Sequence, residues 1–194
     1  MSRKSIDLKC ATPSGWLPAV LADFDAFLSD HANCERKASA MAMGMVVKYP
    51  DRPLVIPALI DVAQEELTHF AQVYELMRSR DVALVRDTRD EYVIALMAQA
   101  RHGRDERFLD RLLLACVVEC RGAERFGLVA DGLGDPVLAQ FYGQLRRSEV
   151  KHGHVFADMA LRYFAHTDVY RRMGQLVELE ADIMSALPVR AALH

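Results

Sequence analysis

Two copies of one short motif, Glu66-Leu-Thr-His69 and Glu149-Val-Lys-His152, stand midway along stretches that are otherwise apolar at every third or fourth residue. In the first stretch a 3.5-residue stripe runs Val55, Leu59, Val62, Glu66, His69, Val73, Leu76; in the second it runs Leu138, Tyr142, Leu145, Glu149, His152, Phe156, Met159, Tyr163. Two further stripes carry one glutamate each: Leu17, Leu21, Phe24, Leu28, His31, Glu35, Ala38, Ala42, Met45, Tyr49, and Phe108, Leu112, Ala115, Glu119, Gly122, Phe126, Val129. Stripes of this period face a helical core. Four bare carboxylates there would lose their hydration and repel one another, so they must be protonated, paired or bound to metal. A fold for this chain must therefore be helical and must protonate, pair or metallate those acids.

The rest of the sequence agrees with helices. Alternating β-branched runs are few, no Asn-Gly or Asp-Gly hairpin occurs between strand-like segments, and Ala, Leu, Met, Glu and Arg recur at helical spacing. The first helix is expected from Trp16–Pro18 to just before Pro50, about 32 residues or roughly 48 Å. The second is expected over about Arg52–Arg80, with Asp51 as cap and Pro57 allowing a later start. A connection over Asp81–Arg104 carries a short helix around Glu91–Arg101, and a long helix follows over about Asp105–Ala130. Asp131-Gly-Leu-Gly-Asp-Pro136 is the clearest break. Beyond it come a helix over about Pro136–Phe164 and a last one over about Asp168–Leu187, before Pro188. Two antiparallel pairs joined by one long crossover give an all-α, ferritin-like four-helix bundle with additional short and C-terminal helices.

At 194 residues and 21.8 kDa, with 52% hydrophobic and 26% charged residues, the chain reads as a single domain over 1–194, its core bundle at about 15–165. No apolar leader precedes residue 16, and nowhere do about 18 apolar residues run together, so a cytoplasmic protein with no membrane association is expected. Cys10, Cys34, Cys116 and Cys120 lack CxxC spacing and read as free thiols.

Spacing favours metal over pairing. Glu-x-x-His puts carboxylate and imidazole on one helical face, and Glu35 and Glu119 each come about 30 residues earlier, from the preceding helix. Two divalent cations cancel four carboxylate charges, and oxygen-rich donors with one imidazole per metal suit iron first and manganese second, zinc and magnesium less well. Glu65 competes with Glu66, but Ser148 stands at the matching place in the second motif, so symmetry selects Glu66.

HANCERKASAMAMGMVVKYPD (31–51), QEELTHF (64–70), VVECRGAERF (117–126) and SEVKHGH (148–154) together resemble the bacterial tRNA 2-methylthio-isopentenyladenosine hydroxylase family, within the ferritin-like di-iron carboxylate superfamily. That resemblance covers about residues 15–165. It implies an O2-dependent di-iron monooxygenase that hydroxylates the isopentenyl side chain of a modified adenosine in tRNA. It further implies Glu35, Glu66, His69, Glu119, Glu149 and His152 as ligands of two iron ions, oxo- or hydroxo-bridged when oxidised. Electrons must then come from an external donor, a reductase or ferredoxin, since no GxGxxG flavin fingerprint is present. An iron-handling protein or ferroxidase without an organic substrate is the alternative, and a helical binding module with a vestigial site is a third reading.

Neutralising the four glutamates moves the formal net charge from −3 to +1. Arg86, Arg89, Arg101, Arg104, Arg107 and Arg111 cluster in and after the crossover and are candidates to meet RNA phosphates, against the plain reading of a solvated face. Glu65 and Ser148 are candidates for orienting the imidazoles from behind. His31 reads as a hydrogen-bonded core histidine rather than a seventh ligand, and His154 as solvent-facing. Ala38, Ser39, Gly122 and Ala123 either leave room near the site or serve close helix packing; Met41, Met43 and Met45 read first as adaptable core.

Overall fold

The computed structural model describes residues 6–194, so Arg3 and Lys4 of the basic N-terminus lie outside the described residues. Among the described residues there are seven helices and no strand: α1 (Trp16–Ala22), α2 (Phe24–Lys48), α3 (Ile56–Ser79), α4 (Glu91–Met97), α5 (Arg104–Gly132), α6 (Pro136–Leu161) and α7 (His166–Ala186). They form two compact units, Ser14–Arg89 with Val189–His194, and residues 6–13 with Asp90–Pro188. None of these helices is long and apolar enough to cross a membrane.

In the first unit the single long helix expected over residues 16–49 is two. Asp23 leaves helical geometry at φ −138°, ψ 64°, and its side chain accepts from Ala26 N at 3.2 Å, so it starts α2 as a cap. The break changes the face that α1 buries: Trp16 and Val20 are inside, whereas the expected Leu17 and Leu21 are not. From Leu28 onward the stripe of α2 is inward through His31, Glu35, Ala42 and Met45, with Ala38 half-buried. Helix α3 starts at Ile56 rather than near Arg52, with Val55 at its N-cap position and Pro57 in its first turn. Arg80 reaches Asp25 at 2.9 Å and Ser39 Oγ donates to Ala63 O at 2.8 Å, so α2 and α3 are antiparallel. The C-terminal tail is fastened here, with Trp16 Nε1 donating to Ala192 O (2.9 Å) and Leu193 N to Asp30 (2.7 Å).

The second unit is built on α5. Asp135 caps α6 through Val137 N and Leu138 N, as the Asp-Pro pair implies. Phe126 packs on Tyr142 and Cys116 meets Gly153, so α6 runs antiparallel to α5. Helix α7 then runs parallel to α5: Asp110 pairs with Arg172 and Arg121 with Glu180. Short α4, capped by Asp90, sends the buried Tyr92 to Glu180 at 3.0 Å.

Candidate metal-binding site

Helices α2 and α3 bring Glu35, Glu66 and His69 together, all buried, with one donor atom of each within 4.8 Å of the others. Two helical turns of pattern suffice: Glu66 and His69 are i, i+3 on α3, and Glu35 faces them from the antiparallel partner. His69 Nδ1 is 3.3 Å from Glu66 Oε2 and 3.7 Å from Glu35 Oε2. His31, one turn before Glu35, places Nε2 2.7 Å from Glu35 Oε1. Burial opposes ionisation of Glu35, yet hydrogen bonds from His31 and His69 hold its carboxyl well below the usual range. Burial likewise opposes a charge on His69, but hydrogen bonds with Glu35 and Glu66 and their charge push it up to about 10. A buried carboxylate pair that grips a proton this firmly on a neighbouring imidazole is a cation-seeking donor set, and a metal ion would displace that proton.

Helices α5 and α6 do the same with Glu119, Glu149 and His152, again buried and again within 4.8 Å in their donor atoms. His152 Nδ1 is 3.9 Å from Glu119 Oε2. Two glycines let these helices approach. A Cβ on Gly122 would stand 3.2 Å from Glu149 Oε2, and one on Gly153 would meet Cys120 Sγ at 3.4 Å and Glu119 Cβ at 3.7 Å. Gly122 thus leaves the hollow that the Glu149 carboxylate occupies. The Cys116 thiol donates to Gly153 O at 3.0 Å, next to His152. Its hydrogen bond with Cys120 and its burial raise it well above the ordinary thiol range, so it stays protonated and able to donate. In each unit the donors are two carboxylates and one imidazole, a set that fits iron or manganese.

The other sequence candidates fall variously. Glu65 and Ser148 are half-buried, and so is His154, which is less open to solvent than its place off the stripe implies. Ser39 serves helix packing through its bond to Ala63. Of the methionines, Met45 is core, Met41 is half-buried and Met43 is exposed. All four cysteines are free. Arg86, Arg89, Arg104 and Arg107 are exposed and Arg111 is half-buried. Arg101 is half-buried, and its guanidinium holds Asp110 (2.8 Å) and Glu106 (3.1 Å) at the start of α5.

What the sequence reading missed is a second set of buried charges. Arg121 donates to Glu180 through Nε (2.8 Å) and Nη2 (3.0 Å), to Cys10 O (3.0 Å) and to Glu124. Thr12 closes the network on Glu124, and Arg125 Nε donates to Thr12 Oγ1 at 3.3 Å. The signal was available, since Glu180 interrupts the apolar run Val169, Met173, Leu176, Met184 of α7. No histidine stands three residues later, and its partner is an arginine.

With this geometry in view, four similarities bear on the chain. The family described as tRNA-(MS[2]IO[6]A)-hydroxylase (MiaE) matches residues 1–194. A tRNA 2-(methylsulfanyl)-N(6)-isopentenyladenosine(37) hydroxylase of Pseudomonas putida is 34% identical over 187 residues, 96% of this chain and 91% of that protein. The Salmonella typhimurium protein of the same name is 26% identical, over 91% of this chain and 83% of its own length. Among solved structures, a protein from Synechococcus described as having aldehyde deformylating oxygenase activity superposes with a TM-score of 0.91 at 31% identity, covering 96% of this chain and 94% of that one. The fold class is all-α and ferritin-like, as the connectivity implied.

Proposed function

The chain belongs to the tRNA-(MS[2]IO[6]A)-hydroxylase (MiaE) family, and from that premise we propose that it is an O2-dependent di-iron monooxygenase hydroxylating the isopentenyl side chain of 2-methylthio-isopentenyladenosine in tRNA. One observation supports this above all: each long helix pair carries a buried triad of a glutamate from its first helix and a Glu-x-x-His from its second. Glu35, Glu66 and His69 would hold one iron, and Glu119, Glu149 and His152 the other. When bound, the irons supply reduction of O2 and transfer of one of its atoms to an unactivated C–H bond. The balance requires two electrons and two protons per turnover, with the second oxygen leaving as water, so an external reductase or ferredoxin is the partner.

The chain's own residues do the rest. Burial of both triads keeps bulk water from the donors and strengthens their interaction with a cation. Gly122 makes room for the Glu149 carboxylate, and the Cys116 thiol ties α5 to the backbone beside His152. Glu65 and Ser148 are assigned a supporting part behind the Glu-x-x-His pairs. Arg86, Arg89, Arg101, Arg104, Arg107 and Arg111 are the side chains assigned to RNA phosphates, and the place of work is the cytoplasm.

The test is direct. Reduced, iron-loaded protein given O2 and tRNA bearing the prenylated base should return a nucleoside heavier by one oxygen in mass spectrometry. tRNA returned unaltered while ferrous iron is oxidised would favour the iron-handling reading instead. Turnover of an aldehyde in place of tRNA would move the assignment toward the activity named for the Synechococcus protein.

A further inference from the structure

His31 is fully buried on α2, one turn ahead of Glu35, with its ring tilted against Phe27 at 5.9 Å between centroids. Its Nε2 lies 2.7 Å from Glu35 Oε1. The other oxygen, Oε2, is the one on the His69 side, 3.7 Å from Nδ1. A carboxylate has two oxygens and can grip one cation with both or present only one. A ring N–H at hydrogen-bond distance occupies the first oxygen and fixes the plane of the group, which leaves the second as the donor. The matching place in the other triad, one turn before Glu119, is Ala115, whose methyl group cannot donate. In that helix pair the Cys116 thiol donates to Gly153 O, next to His152.

We propose that His31 is a positioning residue that reserves Oε1 of Glu35 and offers Oε2 alone to metal, so that the α2/α3 triad holds its iron through a fixed one-oxygen carboxylate. This rests on the di-iron reading above and adds to it a residue that sets how Glu35 meets the metal. The burial supports the assignment: the contact is with a specific carboxylate oxygen, so the imidazole serves more than to fill volume. Residues that orient a metal-binding side chain in this way typically govern about 10–100-fold in metal affinity.

The experiment compares His31→Gln with His31→Met in otherwise intact protein. The two replacements have the same length and differ in whether an N–H can reach Glu35. Metal-free protein is titrated with ferrous ion under argon, and near-infrared circular dichroism and magnetic circular dichroism read the coordination of each iron. His31→Met should weaken one of two ferrous-binding steps by about 10–100-fold and move one set of ligand-field bands, while His31→Gln keeps the wild-type bands and affinity. Met and Gln variants that behave alike, whether both unchanged or both altered, would overturn the role of the N–H. A wild-type protein that takes up no ferrous ion would overturn the di-iron reading itself, and the proposal with it.

Discussion

The α2/α3 and α5/α6 pairs carry the same donors at the same spacing, and they are supported in different ways. In α2/α3 the support is a side chain on the ligand itself, the His31 imidazole on Glu35. In α5/α6 Gly122 lies against Glu149, Gly153 against Glu119, and a thiol donates to a backbone carbonyl. Behind α5 stands a buried ionic network that has Arg121 and Glu180 at its centre. More than half of α5 is buried, against about a third of α2. Donor spacing is thus a local property that can occur twice, whereas what holds the donors in place is particular to each packing environment.

The sharpest way to break this comparison is to remove one imidazole at a time. His69→Ala and His152→Ala should each lower iron below about two per chain and abolish hydroxylation, read by metal analysis and tRNA nucleoside mass spectrometry. Full iron in either variant would separate that triad from the metal. Next in size, Arg121→Met leaves Glu180 buried without its guanidinium, and it should cost about 3–5 kcal/mol in denaturant unfolding, with Arg121→Met/Glu180→Leu recovering much of the loss. Equal destabilisation in the single and double variants would show that the pair is not the source.

Smaller effects come from two glycines that look alike in sequence. Gly122→Ala should cost about 1–3 kcal/mol and weaken iron binding, because the new methyl group meets Glu149. Gly44→Ala, mid-α2 with nothing within 4 Å of a new Cβ, should stabilise by up to about 1 kcal/mol. If both were neutral, close approach of α5 and α6 would not depend on Gly122. The least effect is on pH dependence. Burial would raise the Asp110 carboxyl, but Arg101 and Arg172 hold it below the ordinary range. A folded-state value below the unfolded one gives stability that is present above the ordinary carboxylate range and lost as pH falls through the depressed value. Thermal unfolding followed from neutral to acid pH should show that loss, with a flatter acid limb in Asp110→Asn.

Much of this was legible in advance, for reasons that differ between elements. The stripes of α3, α5 and α6 fell inward as read, because long helices with one apolar face leave little choice of rotation. The N-terminal helix did not. Asp23 is chemically as fit for a helix surface as for a cap, and only the packing of Trp16 and Val20 on one side and Phe27 and Leu28 on the other settles which it is. Arg101 carried the same uncertainty in its charge. A run of arginines looks alike in sequence whether each faces solvent or clamps an acid.

The glutamates draw the line most clearly. Glu35, Glu66, Glu119, Glu149 and Glu180 all interrupt apolar stripes, so burial of the acids follows from helical period alone. That Glu66 and Glu149 share a face with a histidine is equally a matter of sequence, since three residues of α-helix span one turn wherever the helix is placed. The fate of Glu180 is not, because its arginine partner stands 59 residues away, and Asp110 is held both by Arg101, 9 residues before it, and by Arg172, 62 residues on. Whether a buried acid waits for a metal or is already neutralised by a guanidinium is decided by which distant helix packs against it, and no local pattern encodes that.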